Sequence, residues 1–177
     1  MFLDLISSRR SIRKFKNKPV EKEKIKSLIS AALRSPSSRG INPWRFIVIE
    51  DKDLLEKLSK AKPHGAGFLK GAPLGIAVCG DISESDVWVE DASIASVFIH
   101  LAAHDLGLGS CWIQIRKREH GPAKSADAYV KKLLKIPDNI MIESIIAIGY
   151  PDEVKKGHPK ESLQFHKVSF NMYGMKD

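Results

Sequence analysis

Cysteine is scarce in this chain: it has only Cys79 and Cys111 in 177 residues, each inside an apolar, strand-like run. That count argues against a disulfide-stapled scaffold or a cysteine-built metal centre, and favours buried, reduced thiols. Long apolar runs are missing as well. None approaches the ~20 residues of a membrane-spanning helix. The opening Met1-Phe2-Leu3-Asp4-Leu5-Ile6 has no positive region and carries an acid, so it does not read as a secretory signal. The expectation is a soluble, cytoplasmic protein. Nucleotide-binding fingerprints are absent. There is no P-loop, and Gly65-Ala66-Gly67 and Gly107-Leu108-Gly109 are too short for G-x-G-x-x-G. Zinc-finger spacing, an RNP-type aromatic motif and a helix-turn-helix are also missing, which argues against nucleic acid as a partner.

Acid is short in one place. Through Lys26 there are nine Lys and Arg against three acids, within a net charge of +8. Such a field suits a phosphorylated small molecule, an anionic surface or nucleic acid. Its densest part is Arg9-Arg10-Ser11-Ile12-Arg13-Lys14-Phe15. If this segment is extended, Arg9, Ser11 and Arg13 share one face, and two guanidinium forks flank a hydroxyl. That arrangement suits a compact anion. A solvated basic terminus is the plain alternative.

The composition, 43% hydrophobic and 28% charged, is that of a globular chain, and 177 residues suit one domain spanning residues 1–177. Apolar spacing predicts a helix over 21–34, a strand over 45–50, a helix over 51–61 and a strand over 75–80. A long helix over 89–106, apolar on nearly every side, should be the buried spine of the fold or of a subunit interface. Strands over 110–115 and 141–149 enclose a helix over 125–134. Residues 62–73 read as loop or poorly ordered helix. About 151–177 form a C-terminal arm without a good helix, yet Phe165, Val168, Phe170, Met172 and Tyr173 call for packing, plausibly on a partner subunit. The class is α+β: a mixed or antiparallel sheet of four to five strands packed by helices around a central buried helix. A doubly wound parallel sheet is the alternative.

Two further segments stand out. Pro36-Ser37-Ser38-Arg39-Gly40-Ile41-Asn42-Pro43-Trp44 is a hydroxyl-rich loop that Trp44 would anchor. Ser110-Cys111-Trp112-Ile113-Gln114-Ile115-Arg116 is a strand with a polar end, and Trp112, Gln114 and Arg116 fall on one face. His100 and His104 have metal-ligand spacing but no third ligand in register, so they read as satisfied core histidines. Glu90 and Asp91 open the long helix and read as caps. No acid, base or nucleophile declares itself, which points to chemistry carried by a bound cofactor.

The three segments R-R-S-I-R-K-F, S-P-S-S-R-G-I-N-P-W and G-L-G-S-C-W-I-Q, in this order, resemble the nitroreductase family of FMN-dependent oxidoreductases. The resemblance runs from about Leu5 to Gly149. It implies an α+β sandwich, an intertwined homodimer with FMN at the subunit interface, and NADH or NADPH as reductant. It places Arg9 and Ser11, with Arg10 adjoining, at the flavin phosphate and ribityl chain. Arg13 falls at the pyrimidine edge, where a cation favours negative charge near N1 and O2. Pro36, Ser37 and Ser38 match a loop that lies against the other subunit's flavin. Ile113, Gln114 and Ile115 match the segment whose backbone covers the flavin near N5 and O4. A C-terminal basic pair reaches the phosphate in the family, and Lys156 and Lys160 are the nearest candidates here, with His158 beside them. No residue is assigned a catalytic role, and no metal is implied.

The chain departs from the family where Gly40 and Asn42 stand in place of Asn and Gln in S-S-x-N-x-Q-P-W. It also lacks a longer helical excursion over the substrate site, and Trp88, His64 and Arg116 are candidates to line a more open pocket. The expected activity passes electrons from NAD(P)H through FMN to a flat, electron-poor nitroaromatic or quinone. The alternatives are a specialised flavin chemistry on the same scaffold, dehalogenation or flavin breakdown, or a small basic module for nucleic acid or anionic surfaces.

Overall fold

The structure, a computed structural model, describes residues 1–176. Helix α1 spans Phe2–Ser8, α2 Lys22–Leu33, α3 Lys52–Leu58, α4 Trp88–Asp105 and α5 Ala126–Leu134. Strands β1 (Trp44–Ile49), β2 (Leu74–Asp81), β3 (Gly109–Gln114) and β6 (Ile140–Gly149) form one sheet, while β4 (Glu119–Gly121) and β5 (Lys124–Ser125) form a small hairpin. The order across the main sheet is β1-β2-β6-β3, with every pairing antiparallel. The expected α+β class holds, with four strands in the main sheet and all of them antiparallel.

Burial explains the order. All eight residues of β2 are buried, and so are the last eight of β6, as their continuous apolar runs require for central strands. Ile142, Ile145 and Ala147 of β6 face a core shared with α3 and α5, while Ile146 and Ile148 face one shared with α2 and α4. A bulge puts Glu143 out of register between them, since Val78 pairs with Ser144 and Cys79 with Ile142.

The long helix α4 buries only one stripe: Ala92, Ala95, Ser96, Ile99 and Ala103. Ile94, Val97 and Phe98 on its other side are exposed. Apolar groups on both sides therefore correspond to one covered face and one open face. α1 and the β4–β5 hairpin have too little periodicity to be visible in the sequence.

Residues 9–16 run extended, as alternation requires. Ser11 bridges Ser110 in parallel at the start of β3, and Ile12 N–H donates to the Ser110 carbonyl at 3.0 Å. Ile12 sits so close that a Cβ on Gly109 would lie 2.8 Å from its side chain. Glycine there permits the approach.

Candidate functional site

On its other side the 9–16 segment meets the first part of the C-terminal arm. Phe15 and Pro151 form an antiparallel bridge, Asp152 N–H donates to the Lys14 carbonyl at 2.9 Å, and Lys16 N–H donates to the Tyr150 carbonyl at 2.9 Å. That register sets Glu153 opposite Arg13 and Lys155 opposite Ser11. Glu153 Oε1 accepts from Arg13 N–H at 2.5 Å and Lys14 N–H at 3.1 Å. Lys155 Nζ donates to the Ser11 carbonyl at 2.8 Å and pairs with Glu153 at 3.1 Å. The Arg13 amide first, then Lys155 and the Lys14 amide, hold the Glu153 carboxyl below the usual carboxylate range.

The alternating set converges as the sequence implies. Burial pushes the thiol of Cys111, the third residue of β3, up, and the charges of Arg13, Lys155 and Arg9 with the Ser11 hydroxyl pull against it. Arg9 and Arg13 have no carboxylate within 4 Å among the described residues. Arg13 lies over the Phe68 ring at 5.8 Å, and Arg10 turns to the opposite side and donates to the Lys156 carbonyl. The result is a concentration of unneutralised cation beside the Ser11 hydroxyl. Lys156 and Lys160, the basic pair suggested by the sequence, are exposed. Lys155 stands in the cluster instead.

β3 is an edge strand, and past the Ser11 bridge its outer edge has no strand partner among the described residues. Ile113 and Ile115 are buried in the core, and their backbone turns inward: Ile115 N–H donates to the Glu143 carbonyl at 3.1 Å, its carbonyl accepts from Arg118 N–H at 3.1 Å, and Ile113 lies opposite Ile145 in the same phase. The Gln114 side chain is committed. Its Oε1 accepts from Trp112 Nε1 at 2.8 Å, and its Nε2 donates to Glu143 Oε1 at 3.1 Å. The Gln114 backbone, of the same parity as Ser110, faces the outer edge. Glu143 Oε2 finds no hydrogen-bond partner, and desolvation raises this carboxyl above its ordinary range. Trp88, a candidate pocket residue, lies under the Arg116 guanidinium at 5.9 Å.

The serine loop is built on different elements. Ser37 Oγ donates to Asn42 Oδ1 at 2.7 Å and accepts from Asn42 N–H at 2.9 Å. Arg39, Gly40 and Asn42 have positive φ. Asn42 is therefore spent on closing the loop. Ser38 N–H donates to Asp91 Oδ1 at 2.8 Å, so Asp91 ties the loop to α4 and does not cap the helix, as the sequence had suggested. Pro36 is exposed at the loop's start.

The two histidines are occupied by serines. His100 Nδ1 meets Ser110 Oγ at 2.7 Å with its ring stacked on Trp112, and His104 Nε2 meets Ser8 Oγ at 2.9 Å. Burial, followed by Arg9, pushes His100 down to about 4, so the ring is neutral near pH 7.

Ser8 and the basic segment thus adjoin the C-terminal end of α4 at His104, while Ser37 and Ser38 adjoin its N-terminal end at Asp91. Thirteen helical steps separate the two attachments, about 20 Å at a rise of 1.5 Å per residue.

The Nitroreductase family profile matches residues 6–64 and 60–150, which contain the basic segment, the serine loop and β3. The chain belongs to the nitroreductase family. A solved structure described as an FMN-dependent nitroreductase from Clostridium difficile R20291 is 48% identical, with a TM-score of 0.95 over 97% of this chain and 99% of that one. A Methanothermobacter thermautotrophicus protein provisionally named NADH dehydrogenase/NAD(P)H nitroreductase is 40% identical over 154 residues, 85% of this chain and 78% of the relative. The iodotyrosine deiodinase of Thermotoga neapolitana is 25% identical over 92% of this chain and 95% of its own. The nitroreductase fold expected from the three motifs is the one observed. Among the described residues no helix is long and apolar enough to cross a membrane.

Proposed function

We propose that this chain is an FMN-dependent oxidoreductase that uses NADH or NADPH to reduce flat, electron-poor acceptors such as nitroaromatics or quinones. The observation that carries the reading is the pair of guanidinium groups without a carboxylate partner among the described residues, Arg9 and Arg13, on a segment whose Ser11 carbonyl is held by Lys155 and which runs against the open edge of β3. These residues fit FMN. Arg9, Ser11 and Lys155 offer charge-assisted donors to a phosphate, Arg13 favours negative charge on the ring, and the Gln114 backbone on the outer edge of β3 offers polar groups to the ring's edge. FMN supplies the electron transfer, accepting from the nicotinamide and passing to the acceptor. The chain's residues bind, orient and polarise. The 48%-identical FMN-dependent nitroreductase supports the assignment, and the family match outweighs a nucleic-acid module.

A second copy of the chain completes the site in this reading. The serine loop meets α4 at Asp91, whereas Ser11 of the basic segment bridges Ser110, which His100 holds nine helical steps further on, so the two stand about 14 Å apart along the helix. The open side of α4 joins Met1, Phe2 and Leu5 in lining an apolar groove of about 1040 Å³. From Ser162 on, every hydrogen bond of the described arm stays inside the arm, while Phe165, Met172 and Tyr173 are exposed. Apolar surface of this kind, on both groove and arm, suits pairing between copies.

Purified protein should be yellow, release FMN on denaturation, sediment as a dimer, and be bleached anaerobically by NADH or NADPH. Colourless protein that takes up no added FMN would overturn the proposal. The deiodinase relative supports a second reading, reductive dehalogenation on the same scaffold. A flavin that neither nicotinamide bleaches, together with turnover of a halogenated phenol, would favour it.

A further inference from the structure

Beyond the flavin cradle, a second basic site lies behind Phe68. A concavity of about 420 Å³ is lined by Glu56, Ser59, Lys60, Lys62, Gly67, Lys70 and His120 among others. Its one acid, Glu56, already faces Lys60 at 3.5 Å. Lys62 and Lys70 have no carboxylate within 4 Å among the described residues, and neither has Arg118, outside the lining, whose charge acts on Lys62. Lys62 is half-buried, and desolvation with Arg118 lowers the pKa of its ammonium. A cation held this way, in a partly dry place beside another cation, gains from a bound anion.

His120 is aimed and fixed. Its Nδ1 donates to the Ala61 carbonyl at 3.3 Å and its ring stacks on Tyr129 with centroids 3.9 Å apart, leaving Nε2 without a protein partner. The chain between the lysines adds donors. The amides of His64, Gly65, Ala66 and Gly67 donate to no described backbone or side-chain group, and Gly65 has φ 74°. Open backbone amides beside lysines are the ingredients of an anion site.

We propose that Lys62, Lys70, Arg118 and His120, with the amides of residues 64–67, bind a phosphate monoester. Within the flavin reading on which this use of the site rests, the phosphate is the 2′-phosphate of NADPH. Phe68 joins the two regions: Arg13 of the cradle covers its ring, while its neighbour Gly67 lines the concavity. The chain has no Rossmann motif to discriminate the two nicotinamides, and this pocket supplies the missing discriminator.

Calorimetric titration tests it with the protein as purified, using 2′,5′-ADP, 5′-AMP and inorganic phosphate as probes. 2′,5′-ADP should bind saturably, and Lys62→Ala and Arg118→Ala should each weaken it about tenfold or more, with flavin content unchanged. If 5′-AMP and inorganic phosphate both bind about tenfold more weakly than 2′,5′-ADP, the ligand is the NADPH phosphate, and kcat/KM for NADPH over NADH should fall in both variants. If inorganic phosphate binds as tightly as 2′,5′-ADP and is lost in the same variants, the site takes free phosphate. No saturable binding, or binding that survives both substitutions in folded protein, would overturn the proposal. Colourless protein that still binds 2′,5′-ADP through Lys62 would sink the flavin reading alone. Should Lys62→Ala fail to fold, Lys70→Ala at an exposed position reports on the same pocket.

Discussion

Mild acid should act on this protein through one ring. His100 is wedged between Ser110 and Trp112, and burial first, then Arg9, holds its pKa at about 4 against an ordinary 6.5. Because the folded value is the lower one, the neutral ring contributes stability that is fully present above pH 6.5. That contribution is lost as pH falls through the window from 6.5 to about 4. The whole shift corresponds to about 3 kcal/mol at 1.36 kcal/mol per unit, and about 2 kcal/mol of it is gone by pH 5. Glu153, Asp81 and Asp86, whose pKa values are lowered, remain largely ionised at pH 5 in both states. Glu143, raised by burial, works in the opposite sense, so the comparison must be made against a variant. His100→Asn keeps a group able to bond Ser110 and cannot titrate. Urea unfolding followed by circular dichroism at pH 7, 6 and 5 should show the parent losing about 2 kcal/mol more than His100→Asn. Parallel stability curves for the two proteins would refute the buried neutral ring.

Two substitutions separate ligand binding from folding. Arg9→Ala removes an unpaired guanidinium and should weaken FMN retention about 10- to 150-fold, the loss of one charge-assisted bond of about 1.5–3 kcal/mol. Equilibrium dialysis reads it, and unchanged retention would contradict the phosphate assignment. Gly109→Ala should instead lower the unfolding midpoint. Its Cβ would meet Ile12 at 2.8 Å, and overpacking of this kind costs about 1–3 kcal/mol. Because Ile12 Cβ itself stands at 2.8 Å, trimming that side chain would not relieve the contact, and an unchanged midpoint in Gly109→Ala would show that the approach costs nothing.

The periodic parts of the chain were legible because burial imposes period. The continuous apolar runs at 75–80 and 141–149 could only be central strands, and they became β2 and β6. The extended run of residues 9–16, implied by the alternation of Arg9, Ser11 and Arg13, is the one observed, with Ser11 bridging Ser110 and Phe15 bridging Pro151. Tertiary choices were not legible. An apolar helix can be covered by its own chain or by another, and the pattern of α4 is the same in both cases; only the exposure of Ile94, Val97 and Phe98 separates them. Asp91 looked like a helix cap because first-turn acids usually are. Its bond to Ser38 depends on where a loop 53 residues earlier in the chain comes to rest.

Lys155 shows how small the missing information can be. The resemblance asked for a basic residue in the arm near the phosphate, and Lys155 and Lys156 are adjacent. In an extended segment neighbours face opposite ways, so parity decides between them. That parity is set by the bridge between Phe15 and Pro151, which places odd-numbered residues of the arm beside Arg13 and Ser11 and even-numbered ones beside Lys14 and Arg10. Nothing within 151–160 announces the bridge, because no hydrophobic alternation fixes a register there. Glu153 supplies the local reason for it. One carboxylate oxygen takes the amides of both Arg13 and Lys14, a bond that exists only in this register and that neutralises neither Arg9 nor Arg13. The acid beside the cluster therefore anchors its backbone and pairs with Lys155, while Arg9 and Arg13 stay free to bind an anion.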